Sequence, residues 1–151
     1  MMANNDINYE SNAKEVKKAL DAAQNAVLYA IGAFVMQEAV VRAPTNKHGH
    51  GGNLKGGINF EVNESAKYTE IGSPAEYAPY VEVGTGVYSS KGDGRKTAWR
   101  YKTPDGKWVT TVGNKPQPFL EPAVTQNTEK IKRLAEGEFE FEMNKHDKGG
   151  E

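Results

Sequence analysis

The sequence contains no cysteine and only three histidines among its 151 residues. The absence of cysteine excludes disulfide bridges, thiolate metal sites and cysteine nucleophiles. No uninterrupted apolar run approaches the roughly 18 residues of a membrane-spanning helix. The stretch 1–15 is polar and lacks the hydrophobic region of a signal peptide. These absences predict a soluble protein that is made in the cytoplasm and has no contact with a membrane.

The chain also has little net charge, because 19 basic side chains offset all but one of 20 acidic ones. This balance excludes a general attraction to nucleic acid. The distribution is uneven, since the segment 91–115 holds seven basic and two acidic residues, a net charge of about +5. Both flanking regions have an excess of acid. A basic middle between acidic ends fits contact with DNA and equally fits pairing between subunits.

The residue patterns of enzymes are missing. The sequence has no phosphate-binding loop, dinucleotide fingerprint or nucleophile elbow. His48 and His50 lie in the glycine-rich loop 45–52, and His146 lies near the C-terminus, so none is predicted to be held in place as a base. No third ligand accompanies His48 and His50, and a zinc site needs more than two. We therefore predict no catalytic residue, no metal site and no cofactor.

A long amphipathic helix is predicted for the N-terminal part of the chain, from about Ser11. Pro44 ends it, because the residue before a proline disfavours helical angles. Thirty residues of helix extend about 45 Å, so we expect part of this helix to lie against a neighbouring subunit. Apolar residues recur along one face at three- and four-residue spacing: Val16, Leu20, Ala23, Val27, Ala30, Ile31, Phe34, Val35 and Ala39.

Two pairs of antiparallel strands are predicted in the middle of the chain. The range 53–64, with alternating apolar residues, pairs with 67–72. The ranges 98–103 and 107–112 flank the turn Pro104-Asp105-Gly106. We expect these strands to form an antiparallel sheet that the helices cover on one face.

The second hairpin alternates aromatic and basic residues. Trp99 and Tyr101 share one face, which we expect to face the core, and Arg100 and Lys102 share the other. The basic face can meet phosphate groups, with the aromatics stacking on bases, or it can meet an acidic neighbouring subunit. Both possibilities stay open on this pattern.

Between the two hairpins, Ser73-Pro74 is typical of a helix start and predicts a short helix over 75–83. We expect Tyr77, Tyr80 and Val81 to anchor this helix on the sheet. Gly84 and Gly86 then bend the chain, because glycine reaches backbone angles that other residues avoid. Glu82 is expected to hold this bend or a neighbouring subunit rather than to act as a catalytic acid.

A second helix is predicted after Phe119, although the segment 138–142 also alternates with the period of a strand. We favour helix for 137–143. The fold class is therefore α+β, with a long N-terminal helix, an antiparallel β-sheet with a hairpin, a short middle helix and a C-terminal helix packed on one face. A chain of 151 residues predicts a single domain, with a core at about 12–143 and flexible tails at 1–10 and 145–151.

In order and spacing, several motifs between residues 12 and 135 resemble the tail-completion, or head–tail joining, proteins of long-tailed double-stranded DNA bacteriophages. They begin with Asn53-Leu54, the strand Ile58 to Val62 and Ile71-Gly-Ser73. The residues that carry the later motifs are Tyr77, Ala78, Tyr80, Val81, Glu82, Gly84, Thr85, Gly86, Trp99, Tyr101, Pro118, Phe119, Leu120, Pro122 and Ala123.

The resemblance implies a structural protein of the phage neck without enzymatic activity. Such proteins form a ring, typically a hexamer, at the head-proximal end of the tail. They terminate the tail tube and join it to the head connector or head-closure protein, and DNA passes through the lumen without sequence-specific binding. The implied location is the virion neck, after assembly in the cytoplasm of the bacterial host.

The basic residues that we expect to contact a subunit or partner lie in the loop 87–97 and in the hairpin after it: Lys91, Arg95, Lys96, Arg100 and Lys102. Two alternatives to a tail-completion protein stay open. One is a head-closure protein or another minor capsid or connector protein, which shares the size and the small α+β character. The other is a small DNA-binding module directed at the host.

Overall fold

Helix α1 (Ala13–Arg42) is the element against which most of the fold packs. The computed structural model describes residues 11–45 and 52–148. The other elements follow in chain order as helix α2 (Gly52–Gly57), strands β1 (Asn59–Asn63) and β2 (Tyr68–Gly72), helix α3 (Ala78–Val83), a 3-10 turn (Gly86–Tyr88), strands β3 (Trp99–Lys102) and β4 (Trp108–Thr111), and helices α4 (Leu120–Thr125) and α5 (Thr128–Lys148). The predicted α+β class is confirmed.

Helix α1 ends where the sequence predicts, because Ala43 before Pro44 is extended, with φ −60° and ψ 130°. Its buried positions are mostly small: Ala19, Ala23, Gly32, Val35 and Ala39. Two residues of the predicted apolar face, Val16 and Leu20, are instead 49% and 38% exposed. The helix therefore presents a small-residue face to its neighbours, and its N-terminal turns keep part of their apolar surface in solvent.

By length and composition, α1 is also sufficient to cross a membrane. The expectation that no segment approaches such a span therefore needs correction. A core helix of a soluble protein meets the same criterion. Here α1 packs with α4, α5 and the β1–β2 hairpin, although its apolar stretch is only partly buried.

The β1–β2 hairpin lies directly on α1 because Gly32 has no side chain at the crossing. A Cβ atom on Gly32 would overlap the ring of Phe60. The hairpin is fixed further by a T-shaped contact of Tyr29 with Phe60, at 6.4 Å between ring centroids. The ammonium group of Lys67 reaches Asp21 at 2.5 Å. Close packing and polar contacts thus set the position of the hairpin on the helix.

The core lies where the C-terminal half of α1 meets α2, α3 and α4. Phe119 and Leu54 are its largest fully buried side chains. Burying a side chain of this size contributes about 1.5–3 kcal/mol. The buried cluster consists of Val35, Ala39, Ala43, Leu54, Ile58, Ala78, Phe119 and Ala123.

The strands do not form the single sheet that we expected. Within the residues that the structure describes, β1 pairs only with β2 and β3 only with β4, which gives two separate antiparallel hairpins. The local turns determine each hairpin, whereas pairing between hairpins depends on contacts that are distant in sequence. The hairpin β3–β4 lies away from α1, and its backbone continues into a crossing with residues 85–87.

Several boundaries differ from the sequence prediction. The first strand begins at Asn59 rather than near residue 53, because Gly52–Gly57 forms a turn of helix. The short helix begins at Ala78, with Pro79 in its first turn, and not after Ser73-Pro74. The ranges 1–10 and 46–51, which include the first predicted tail and most of the histidine loop, lie outside the described residues.

The C-terminal helix is helical throughout 137–143, as favoured, and it continues to Lys148, past the predicted start of the second tail. It is divided from α4 at Gln126 and Asn127. The side-chain amide of Asn127 donates to the Ala123 carbonyl oxygen at 2.9 Å and is buried. The predicted single helix is therefore a short helix followed by a long one that packs on α1.

Candidate assembly surface

Glu82, at the end of α3, accepts hydrogen bonds from the first backbone N–H groups of α4. Its Oε2 atom accepts from the N–H of Phe119 at 2.7 Å and of Leu120 at 3.0 Å, and its Oε1 atom accepts from Glu121 at 2.9 Å. The next residue, Pro122, has no N–H group. The donors that a helix start usually leaves without a partner are therefore all satisfied or absent.

This cap connects two motifs that are far apart in the sequence. The segment around Glu82 and the segment Pro118 to Ala123 meet through one carboxylate, and the main chain adds a bond from Gln117 N–H to the Val81 carbonyl at 2.8 Å. Within the second motif, Phe119 and Ala123 are buried, whereas Pro118 is exposed. Glu82 thus holds the start of α4 rather than the glycine bend that follows it.

The glycine bend after α3 is a backbone crossing. Gly84 and Gly86 have φ of 77° and 60°, values that side-chain-bearing residues rarely adopt. The N–H of Thr85 donates to Asn114 O, and that of Val87 donates to Val112 O, both at 2.9 Å. A Cβ atom on Gly86 would overlap the Val112 carbonyl. The glycines therefore allow the chain after α3 to run alongside the exit of β4.

The two tyrosines of the first motif lie largely at the surface. Tyr77 and Tyr80 are 40% and 61% exposed, and the anchor is buried Ala78 with partly buried Val81. Both tyrosines line a groove of about 650 Å³ together with Tyr101 and Lys115. Both tyrosines are thus more exposed than expected, and they contribute to an aromatic surface beside α3.

The β3–β4 hairpin is also more exposed than expected. Tyr101, predicted to face the core, is 46% exposed. Trp108 is 62% exposed and lies opposite Lys102 in the strand register. Directly opposed residues of an antiparallel pair point to the same face, so Trp108 belongs to the basic face. The Arg100 guanidinium lies 5.4 Å from the Trp108 ring centroid.

The loop before β3 carries the other three basic residues of the predicted contact set, Lys91, Arg95 and Lys96, all exposed. The Arg95 guanidinium lies 5.6 Å from the ring centroid of Trp99, and Lys96 donates to the carbonyl of Gly92 at 2.9 Å. The structure thus brings the loop and β3 together as one exposed basic segment.

A polar network at the junction of α4 and α5 was not predicted. Glu38 accepts from Arg42 at 2.5 Å and from the buried amide of Asn127 at 3.0 Å, and Arg42 also reaches Gln126 at 3.2 Å. Hydrogen bonding from Arg42 lowers the pKa of the Glu38 carboxyl. The spacing of Glu38 and Arg42, four residues apart on one helix, is typical of an ion pair and could have predicted their contact. Nothing in the sequence around Asn127 indicates that its amide joins them.

Titratable groups suited to hold a metal do not cluster within 11–45 and 52–148. His146 is exposed on α5, and His48 and His50 lie outside the described residues. The features that the fold brings together are instead exposed aromatic and basic side chains beside a firmly connected backbone crossing. Such a surface is suited to contact with other protein subunits.

Comparison with known families matches this interpretation. The family model described as "Bacteriophage HK97-gp10, putative tail-component" matches residues 9–84, which is half of the chain. The chain therefore belongs to the HK97-gp10-like family, and the resemblance to phage tail proteins is confirmed. No curated protein and no solved structure matches it.

The membership identifies the chain as a phage tail component and thus as a component of the virion. The matched part comprises α1, α2, the β1–β2 hairpin and α3, and it ends at Gly84. The exposed hairpin β3–β4 and helices α4 and α5 follow after the matched part.

Proposed function

We propose that this tail component is a tail-completion protein. It forms a ring, expected to be a hexamer, at the head-proximal end of the tail, terminates the tail tube and joins the tail to the head connector. The role is structural rather than enzymatic. Its partners are further copies of the same chain, the tail-tube protein and the head connector or head-closure protein, and DNA passes through the lumen without sequence-specific contact.

The observation that carries this proposal is the extent of large apolar side chains left in solvent by the single chain. Val41, Tyr80 and Trp108 are 71%, 61% and 62% exposed. Helix α5 has no buried residue, and its Phe141 is 59% exposed. Exposed apolar surface of this extent marks sites of contact with other proteins. Membership in a tail family favours neighbouring tail subunits as the proteins that cover it.

The proposed position is the neck of the virion, reached after assembly in the bacterial cytoplasm. The family description favours the tail side of the neck over the head side, where a head-closure protein would lie. A ring at this place suits the separation of charge along the chain, since a basic segment of one subunit can meet an acidic surface of the next.

Mass measurement tests the proposal. The purified chain and its mixture with the tail-tube protein of the same phage are measured by native mass spectrometry. We expect a closed ring, for a hexamer about 99 kDa from six chains of 16.5 kDa, alone or after the tube protein is added. A ring that binds the head connector but not the tube protein would instead support a head-closure protein. A monomer in every mixture would contradict the proposal.

A further inference from the structure

The basic face of the β3–β4 hairpin is exposed in the described part of the chain. Arg100, Lys102 and Trp108 lie on it, and the stacking of Arg100 on Trp108 holds the guanidinium over the indole ring. All three residues are exposed. Neither Arg100 nor Lys102 forms an ion pair within the described part of the chain. The face thus offers two uncompensated positive charges around a flat apolar ring.

Helix α5 presents a surface of matching chemistry. Between Glu136 and Glu142 the helix has four glutamates and no basic residue, and two of the four, Glu136 and Glu140, are exposed. Glu136 and Glu140 are four residues apart and therefore share one side of the helix. Both are exposed and form no ion pair with other described residues. Phe139, between them in sequence, is 37% exposed and supplies apolar surface beside the two carboxylates.

Glu140 lies on the side of α5 that faces away from α1. The less exposed residues of the helix define the side that packs on α1: Ile131, Leu134, Ala135, Glu138, Glu142 and Met143. Glu140 points away from that side, and Glu136, one turn earlier, is exposed at its border. In the described structure no ion pair joins α5 to the β3–β4 hairpin. Each surface is therefore available to another molecule.

The geometry points to a contact between copies of this chain, in which the basic face of one hairpin docks on the α5 surface around Glu136 and Glu140 of the next copy. This inference rests on the proposed ring. The two surfaces differ and lie on different elements, so the contact is head-to-tail, and contacts of this kind close into rings when the rotation permits. A second copy is favoured over DNA because it supplies acid and apolar surface together, and because the chain as a whole has a net charge of −1.

Charge reversal with rescue tests the contact. The variants Arg100→Glu/Lys102→Glu and Glu136→Lys/Glu140→Lys are compared with the variant that carries all four changes. The matched control is Lys14→Glu/Lys17→Glu. It reverses two exposed lysines on α1, outside both proposed contact surfaces. Association is measured by sedimentation, alone and with the tail-tube protein. Like charges at an interface oppose binding, so we expect each reversal to weaken association at least about tenfold and the combined variant to recover most of it.

Four results would overturn the contact. The first three are normal assembly of Arg100→Glu/Lys102→Glu, a combined variant that assembles no better than the two reversals, and a wild-type chain that stays monomeric in both conditions. A fourth is binding to a 30-bp duplex that falls steeply with salt and is lost in Arg100→Glu/Lys102→Glu without a change in assembly, which would assign the face to DNA. A ring that forms normally despite the reversals refutes this contact alone. The proposed function is refuted only if the wild-type chain forms no ring and does not bind the tail-tube protein.

Discussion

At the scale of single residues, Glu82 connects the two most distinctive motifs of the chain. A carboxylate that accepts three backbone N–H groups at a helix start combines charge-assisted hydrogen bonds with a favourable position relative to the helix dipole. The start of α4 carries Phe119 into the core. The position of a buried aromatic residue therefore depends on one acidic side chain located 37 residues earlier.

The substitution Glu82→Gln tests this connection. The amide keeps one acceptor oxygen but loses the charge and the second acceptor, so at least one N–H group of α4 loses its partner. We expect a loss of about 1–3 kcal/mol in the free energy of unfolding, measured by urea denaturation. The matched control is Glu76→Gln, because Glu76 is exposed and makes no described hydrogen bond. Equal stability of the two variants would contradict the capping role.

The lowered pKa of the Glu38 carboxyl leads to a second prediction, which concerns how the stability of the fold depends on pH. Its pKa in the folded chain lies below the ordinary value of 4.5, chiefly through the hydrogen bond from Arg42. A lowered folded pKa adds stability that is fully present above the unfolded pKa and is lost as the pH falls through the folded pKa. We therefore expect the stability advantage of the wild type over Glu38→Gln to be constant near neutral pH and to shrink below pH 4.5. Denaturation curves at several pH values measure this, and an advantage that grows in acid would contradict the assigned partner.

At the scale of elements, the backbone crossing of residues 85–87 with 112–114 joins α3 to the β3–β4 hairpin. Apart from each other, β3 and β4 have few close contacts with the described helices and strands, so this crossing largely determines where the exposed face of the hairpin lies. Gly86 and Gly113 pass each other so closely that a Cβ on either would overlap the opposite backbone. The predicted bend at Gly84 and Gly86 is thus a fixed junction between two elements.

The variants Gly84→Val and Gly86→Val test this junction. Each places a branched side chain at a positive φ and against neighbouring backbone atoms, which we expect to cost more than about 3 kcal/mol or to prevent folding. Gly72→Val is the control, because nothing lies within 4 Å of a Cβ at Gly72 and valine favours a strand. Circular dichroism and thermal denaturation give the comparison. Wild-type folding and assembly of both test variants would refute the role of the glycines.

The elements themselves were largely predictable from the sequence, because their signals are local. The spacing of apolar residues and Pro44 gave α1, and Pro104-Asp105-Gly106 gave the second hairpin. The helical spacing through Leu134 outweighed the alternation of residues 138–142. What could not be predicted depends on distant pairs. Nothing in the sequence indicates that the Glu82 carboxylate accepts a hydrogen bond from the backbone N–H of Phe119.

Two features of the candidate surface could not be predicted, for the same reason. Trp108 could be assigned to a face only after the register across the turn was known, since Lys102 lies opposite it. Tyr77 and Tyr80 have large aromatic side chains of a kind that is often buried. Ala78 and Val81 are nevertheless the residues of α3 that pack in the core. Alternation and composition show that a segment has two faces. They do not show which face the rest of the chain covers.

At the scale of the whole molecule, the chain combines a small core with a large uncovered surface. Its apolar fraction is 37%, and the core cluster is centred on one end of α1. The opposite end of α1, α5 and the β3–β4 hairpin keep apolar side chains in solvent. A tail component with this distribution is suited to complete its burial in an assembly, as the proposed ring requires.

Electron microscopy of particles from the parent phage, made with and without this chain, tests whether the protein completes the tail and joins it to the head. Without the chain, we expect DNA-filled heads that carry no tails, together with free tails of uncontrolled length. Supplying the wild-type chain from a plasmid should restore joined particles with tails of uniform length. Heads and tails that join normally, with tails of normal length, in the absence of the chain would contradict the proposed role at the neck.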